Sequence, residues 1–360
     1  MVDKGGETAE HWVNFSYPSF PMNEQNPGDG PTELNPVPAA AYYDRSTGLM
    51  IFGVLTIGLG CMAALGTFFI VIGQLLAASI PNGPPPMPFS AILPGICVYV
   101  ILAVALIWLG IGSIRARRWA RALLLIFSWS WLAMGLFEMV AMAFIMPKVL
   151  ANLPATVPAG HAAPPAAVMD GVMVVMFLVF GVIFVIMPAI WSYFYSSRHV
   201  KLTCEWRDPQ PGWTDRCPLP VLALCLWAWF SVPMMLLMPI AGHCVAPFFG
   251  MFLTGVPAVL FYLVLAVLWV CASWLLYRLD GRGWWLMLIA VLVGTASTLV
   301  TFSQCSMLEM YRLMDYPDAQ IEQIKKSGLL EGNGLIWIMM FSMVVFLGYL
   351  LFIKKYFRRT

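Results

Sequence analysis

Eight long apolar runs dominate this chain, and each is near or above the roughly 20 residues that a helix needs to cross the hydrocarbon core of a bilayer. They fall at about Gly48–Ser79, Ser90–Ile114, Ala122–Met146, Gly171–Tyr195, Pro218–Ala241, Pro247–Tyr277, Trp284–Gln304 and Leu335–Ile353. The runs are continuously apolar, without the alternation that a lumen-lining barrel strand requires, so they are read as helices. Apolar residues make up 61% of the chain, charged residues only 11%, and mean hydropathy is +0.81. A water-soluble fold of this composition would leave large apolar patches facing water. The expected fold is all-α: a polytopic transmembrane bundle of about eight spans, with the bilayer as its principal partner.

Lys and Arg set the expected orientation. The even-numbered connections hold Arg115, Arg117, Arg118, Arg121, Arg198, Lys201, Arg207, Arg216, Arg278 and Arg282. The tails hold Lys4, Arg45, Lys354, Lys355, Arg358 and Arg359, and the odd-numbered connections only Lys148, Arg312, Lys325 and Lys326. A split of sixteen to four places both termini in the cytoplasm of a cell (inner) membrane protein. No basic stripe stands outside these flanks, so nothing points to nucleic acid.

The chain divides into a tail (1–41), a first four-helix half (42–200), a linker (201–217) and a second half (218–360) with a long outer loop at 305–334. The halves share ordered matches. Asp44-Arg45 precedes the first span and Asp215-Arg216 the fifth. Tyr99 to Val104 in the second span matches Tyr262 to Val267 in the sixth, and the turn at Arg115–Trp119 matches Asp280–Trp284. Four spans per unit is an even number, so the expected relation is a parallel 4+4 internal repeat about an axis along the membrane normal. In the outer loop, Leu308–Met314 and Ala319–Ser327 read as short helices. Asp318 would cap the second and Gly328 would end it, with Ile321 and Ile324 on one apolar stripe.

Few residues carry chemistry. Glu138 is the one carboxylate well inside an expected span, where an ionised group is costly unless paired or wetted. With Gln304 and Ser303 of the seventh span it forms the expected intramembrane polar site, Arg312 being another partner for the carboxylate. Methionine numbers 24 and gathers toward the outer side, where His243, Cys244, Met142 and Met146 offer ligand types suited to a soft metal. Methionine filling gaps between helices explains the same pattern, so no cofactor is assigned. The linker holds His199, Cys204, Asp208, Asp215 and Cys217, which do not complete a zinc set. Pro94, Pro188, Pro233, Pro239 and Pro257 are expected to interrupt helices and free carbonyls. Trp12, Phe15, Tyr17 and Phe20 give the polar tail an aromatic cluster suited to contact with a partner.

No phosphate loop, nucleophile elbow, HExxH pair or dinucleotide fingerprint is present. The expected function is therefore a non-enzymatic accessory, scaffold or binding subunit of a membrane assembly, accompanied by other membrane subunits. A transporter or channel with a cavity at the repeat interface is the alternative. The charge asymmetry makes the orientation testable by cysteine labelling in intact cells. An impermeant thiol reagent should modify cysteines engineered into 147–170 or 305–334 and spare those in 197–217; labelling in 197–217 would reverse the assignment.

Overall fold

The computed structural model describes residues 43–79, 89–152, 166–241, 243–326 and 334–357. Among the described residues eight helices are long and apolar enough to cross a membrane, which makes this a multi-pass, predominantly helical membrane protein. They are built from α1 (Ser46–Ser79), α2 (Phe89–Ile114), α3 (Arg118–Asn152), α4 (Ala166–Gly181) continued through a π-helical turn (Val182–Ile186) into α5 (Met187–Ser196), α7 (Leu219–Ala241), α8 (Val256–Tyr277), α9 (Gly281–Gln304) and α12 (Gly334–Ile353). Three shorter helices connect them: α6 (Arg198–Arg207), α10 (Met307–Leu313) and α11 (Asp318–Lys326).

Packing is tightest between consecutive spans. In the α1–α2 pair, Gly53 and Gly110 face each other so closely that a Cβ on either would meet the other's carbonyl oxygen, at 2.8 and 2.7 Å. Small residues allow this backbone approach, which is how helices associate where lipid competes for every apolar contact. One core joins Leu49, Leu109, Leu124, Trp191, Tyr195 and Cys204; a second joins Val221, Leu222, Leu276, Trp284, Met287, Leu350 and Ile353. Both cores sit at the end of the bundle where α3 and α7 begin and α2 and α8 finish. Beyond Gly60 in α1, Gly135 in α3 and Ala228 in α7, those helices have no buried residue among the described ones.

Polar bonds tie the cores together. The Trp284 Nε1–H donates to the Leu350 carbonyl at 2.8 Å, the Trp191 Nε1–H to Thr56 Oγ1 at 3.3 Å, and the Ser113 hydroxyl to the Leu49 carbonyl at 3.0 Å. Ser113 Oγ also lies 2.7 Å from the Tyr195 hydroxyl. Between the halves, Trp227 of α7 donates to Ser130 Oγ of α3 at 2.8 Å.

Several expectations need correction, the helix breaks at Pro94, Pro233 and Pro239 among them, since α2 and α7 run through those residues. The sixth span does not start at Pro247: Val245–Phe248 (β1) and Met251–Thr254 (β2) form an antiparallel hairpin, Phe248 pairing with Met251, and α8 begins only at Val256. A short apolar run cannot be assigned to helix or strand by periodicity alone. What decides is the Phe249-Gly250 turn, with φ of 37° and 90°, the left-handed pair that a tight hairpin needs. Pro257 accordingly lies in the first turn of α8, where its missing N–H costs nothing, and does not kink a helix. In the linker, α6 and a 3-10 turn (Trp213–Asp215) occupy much of the chain. The loop that follows α9 forms the two short helices that the sequence implies, although α11 starts one residue early, at Asp318; Ile321 is buried.

Pro188 acts as a breaker with a visible consequence. It has no N–H to offer the Phe184 carbonyl, and the backbone passes through the π turn, in which the Met187 N–H reaches back to the Val182 carbonyl. The Phe184 carbonyl lies against Gly135 of α3, where any Cβ would collide with it. Backbone cannot yield there as a flexible side chain could. Gly135→Ala should therefore destabilise the protein by about 1–3 kcal/mol. Gly58→Ala, at an exposed helical position with nothing within 4 Å of a new Cβ, should be neutral or slightly stabilising. Thermal melts of both variants in one detergent check the contrast.

Candidate functional site

The polar chemistry of the described residues concentrates at the basic end of the bundle. The α2–α3 turn brings Arg117 and Arg118 beside α6. The Asp208 carboxylate, just past α6, accepts from the backbone N–H of Arg118 at 3.2 Å and from Arg117 Nη1 at 3.3 Å. An acid at the first amide of α3 satisfies an otherwise orphaned donor and complements the helix dipole. The Arg118 guanidinium then reaches Glu205 at 3.5 Å and Asp215 at 4.0 Å, and Lys201 reaches Glu205 at 3.8 Å. Asp215 also accepts from the Gly212 amide at 2.8 Å, which closes the 3-10 turn. The start of α1 joins the group through Arg207–Asp44 at 3.8 Å and the Arg45 amide on Thr203 Oγ1 at 3.2 Å.

These elements enclose a cleft of about 280 Å³. Its walls are Arg118, Arg121 and Ala122 from α3, Lys201, Cys204 and Glu205 from α6, and Thr214, Asp215, Cys217 and Leu219 from the turn and the start of α7. Three of its polar atoms, Arg118 Nε, Arg121 Nε and Thr214 Oγ1, are buried without a hydrogen-bond partner. The thiols contribute no reactive group: burial pushes both Cys204 and Cys217 up to about 11, well above an ordinary cysteine. Sequence reasoning had the basic turn and the linker acids in hand but treated them as separate features. The fold of 197–217 back over the start of α3 is what joins them.

A second cleft, of about 320 Å³, lies toward the other end and is apolar, between Leu236, Pro239 and Ile240 of α7 and Val259, Tyr262 and Leu263 of α8, with Cys244 beside it. The hairpin borders this region. Its turn amides, Phe249 and Gly250, donate to Ser297 Oγ and Thr301 Oγ1 of α9 at 3.0 and 3.1 Å, and Tyr262 donates to the Val245 carbonyl at 3.1 Å.

The residues singled out from sequence are scattered. Glu138 is exposed on α3, without a hydrogen bond or ion pair among the described residues. Ser303 donates back to the Val300 carbonyl of its own helix at 2.9 Å. Gln304 packs its amide against Gly250 of the hairpin. His243 pairs through Nδ1 with Asp315 at 3.3 Å, and Cys244 follows it in left-handed backbone, φ 57°. Met142 and Met146 are half-buried on α3. Among the described residues no three His, Cys, Asp or Glu side chains come together as a metal would require. Trp12, Phe15, Tyr17 and Phe20 lie outside the described residues.

No known family, curated protein or solved structure shows a significant match to this chain.

The buried thiols imply a pH dependence. Their folded values exceed those of an unfolded cysteine, about 8.5, so the fold favours the neutral thiol. That contribution is complete below about pH 8.5 and is lost as pH rises toward 11. The melting temperature should fall over this alkaline window, and a Cys204→Ala, Cys217→Ala double variant should fall less; identical pH profiles would contradict the assignment.

Proposed function

We propose that this protein is a non-enzymatic binding or accessory subunit of a membrane assembly, with both termini on the cytoplasmic side and its basic end facing the cytoplasm. The observation that carries this reading is where the polar groups go. Most hydroxyls within the spans donate to their own helices: Thr56 to the Phe52 carbonyl, Ser128 to Leu125, Ser231 to Trp227, Ser273 to Trp269, Thr295 to Val291, Thr298 to Gly294 and Thr301 to Ser297; Ser113, which donates to Leu49 of α1, and the unpartnered Ser192 are exceptions. Side chains satisfied in this way have little left to replace the hydration shell of a passing solute. Grouped charges instead occupy one end of the bundle, at a built surface made from three segments that are distant in sequence. Such a surface suits binding more than conduction.

The basic residues at that end stand beside aromatic rings, as at a membrane interface. Arg278 stacks on Trp274 at 4.9 Å, and Lys354 lies over Trp284 and Trp285 at 4.7 and 5.5 Å. Cations among amphipathic rings at helix ends are characteristic of the headgroup layer. The parallel 4+4 repeat belongs to the same reading. In each half the first two spans form a close pair, and a tyrosine of the fourth span bonds toward the start of the first. Tyr195 does so through Ser113 to the Leu49 carbonyl, and Tyr349 directly to the Pro220 carbonyl at 2.6 Å. The aromatic cluster of the tail, Trp12 to Phe20, supplies a further contact for a cytoplasmic partner.

Transport through a cavity between the halves is the competing reading, and one pair of measurements separates the two. The chain extracted in mild detergent should migrate with a second polypeptide at fixed stoichiometry, and the chain alone in liposomes should leave ion and small-solute flux at the background rate. Migration as this chain alone together with flux above background would overturn the proposal.

A further inference from the structure

The cleft at the basic end holds one cation more than its acids neutralise. Arg118 and Lys201 are engaged by Glu205 and Asp215, whereas Arg121 feels those two carboxylates only at longer range and makes no salt bridge within 4.0 Å among the described residues. A guanidinium that is largely buried, with its Nε unbonded and no carboxylate in direct contact, is poorly solvated, and a bound anion would relieve it. A second observation points into the same space. Thr214 is 2% exposed, and its hydroxyl lines the cleft with no hydrogen-bond partner. Buried hydroxyls are almost always bonded, so an unpartnered one marks a place where something else bonds.

We propose that the cleft between α3, α6 and the Trp213–Asp215 turn binds a phosphate group, gripped by the Arg121 guanidinium and the Thr214 hydroxyl, with the Lys201 ammonium at its rim. This rests on the reading of the chain as a binding subunit and names its ligand chemistry. The ligand must accept from three donors of different geometry at once. A tetrahedral phosphate offers enough oxygens for that, and arginine meets two of them in parallel. Volume selects within the class: about 280 Å³ lies just below the usual range for sites that enclose a drug-sized ligand, roughly 300–1,000 Å³. A single phosphate therefore fits with room to spare. The cleft opens at the end rich in basic and aromatic side chains, so the phosphate comes either from a lipid headgroup or from solution.

Two arms test this on the full-length purified chain. In neutral detergent, inorganic phosphate should raise the melting temperature above that in sodium chloride of equal ionic strength. In nanodiscs of phosphatidylcholine doped with phosphatidic acid, native mass spectrometry should show phosphatidic acid retained in excess of its share. A response to the lipid alone assigns the phosphate to a headgroup, and a response to inorganic phosphate alone assigns it to solution. In either arm Arg121→Gln and Thr214→Val should each weaken binding by about tenfold. Thr214→Val removes a hydroxyl that bonds to nothing in the fold, so without phosphate it should melt no lower than the parent, which keeps the test valid if Arg121→Gln folds poorly. Absence of any response in both arms, or a response that Thr214→Val leaves unchanged, overturns the site. Subunit stoichiometry is measured separately and does not depend on this outcome.

Discussion

The fold rests on one requirement: inside hydrocarbon every backbone N–H and C=O must find its partner within the protein. Eight apolar helices meet it by themselves. The two departures from regular helix are informative because each shows how the requirement is met when the helix fails. At Pro188 the chain shifts to π bonding, and the Phe184 carbonyl is tucked against Gly135 of α3. At the hairpin the turn amides of Phe249 and Gly250 have no partner in the strand ladder, and Ser297 and Thr301 of α9 accept from them. In both places irregular backbone is held by neighbouring protein, α3 at the π turn and α9 at the hairpin.

From the same requirement follows the difference between the two ends of the bundle. Most hydroxyls within the spans donate to their own helices, and the bonds that cross between spans, such as Trp191–Thr56, Ser113–Leu49 and Trp284–Leu350, are few. Specific long-range polar contacts gather where the chain leaves the apolar layer. At the basic end Asp208 anchors the start of α3, Arg207 holds Asp44 before α1, and Arg118 spans α6 and the turn that precedes α7. Individually such partly exposed pairs contribute at most about 1 kcal/mol. Collectively they fix the geometry of a cleft whose remaining donors, on Arg121 and Thr214, are left for a ligand.

Composition and hydropathy located the spans to within a few residues for most helices, because a continuous apolar run of that length has only one stable form in lipid. The short helices of the outer loop were legible too, since Pro317-Asp318 and the stripe containing Ile321 obey local rules. The hairpin was not. Val245–Thr254 is as apolar as a helix end, and what sets it apart is the left-handed Phe249-Gly250 turn, whose amides bond to α9. Glu138 illustrates the opposite case. Its position inside a span is plain from sequence, yet which face of α3 it occupies depends on the neighbours, and the fold leaves it exposed.

The cleft shows the same division. Sequence supplied the charges, Arg115 to Arg121 on one turn and Asp208 and Asp215 on the linker, and the asymmetry of basic residues assigned both to one side. It could not show that α6 folds back over the first turn of α3, because that contact joins residues about ninety positions apart and depends on the burial of Val200, Thr203 and Cys204 against the first-half core. By itself, then, the sequence determined solvent, span number and charge asymmetry, properties that are sums over local composition. Only the tertiary structure decided which acids neutralise which bases, and that Arg121 and Thr214 are left over. Pairing depends on distances across the fold, and no local pattern encodes them.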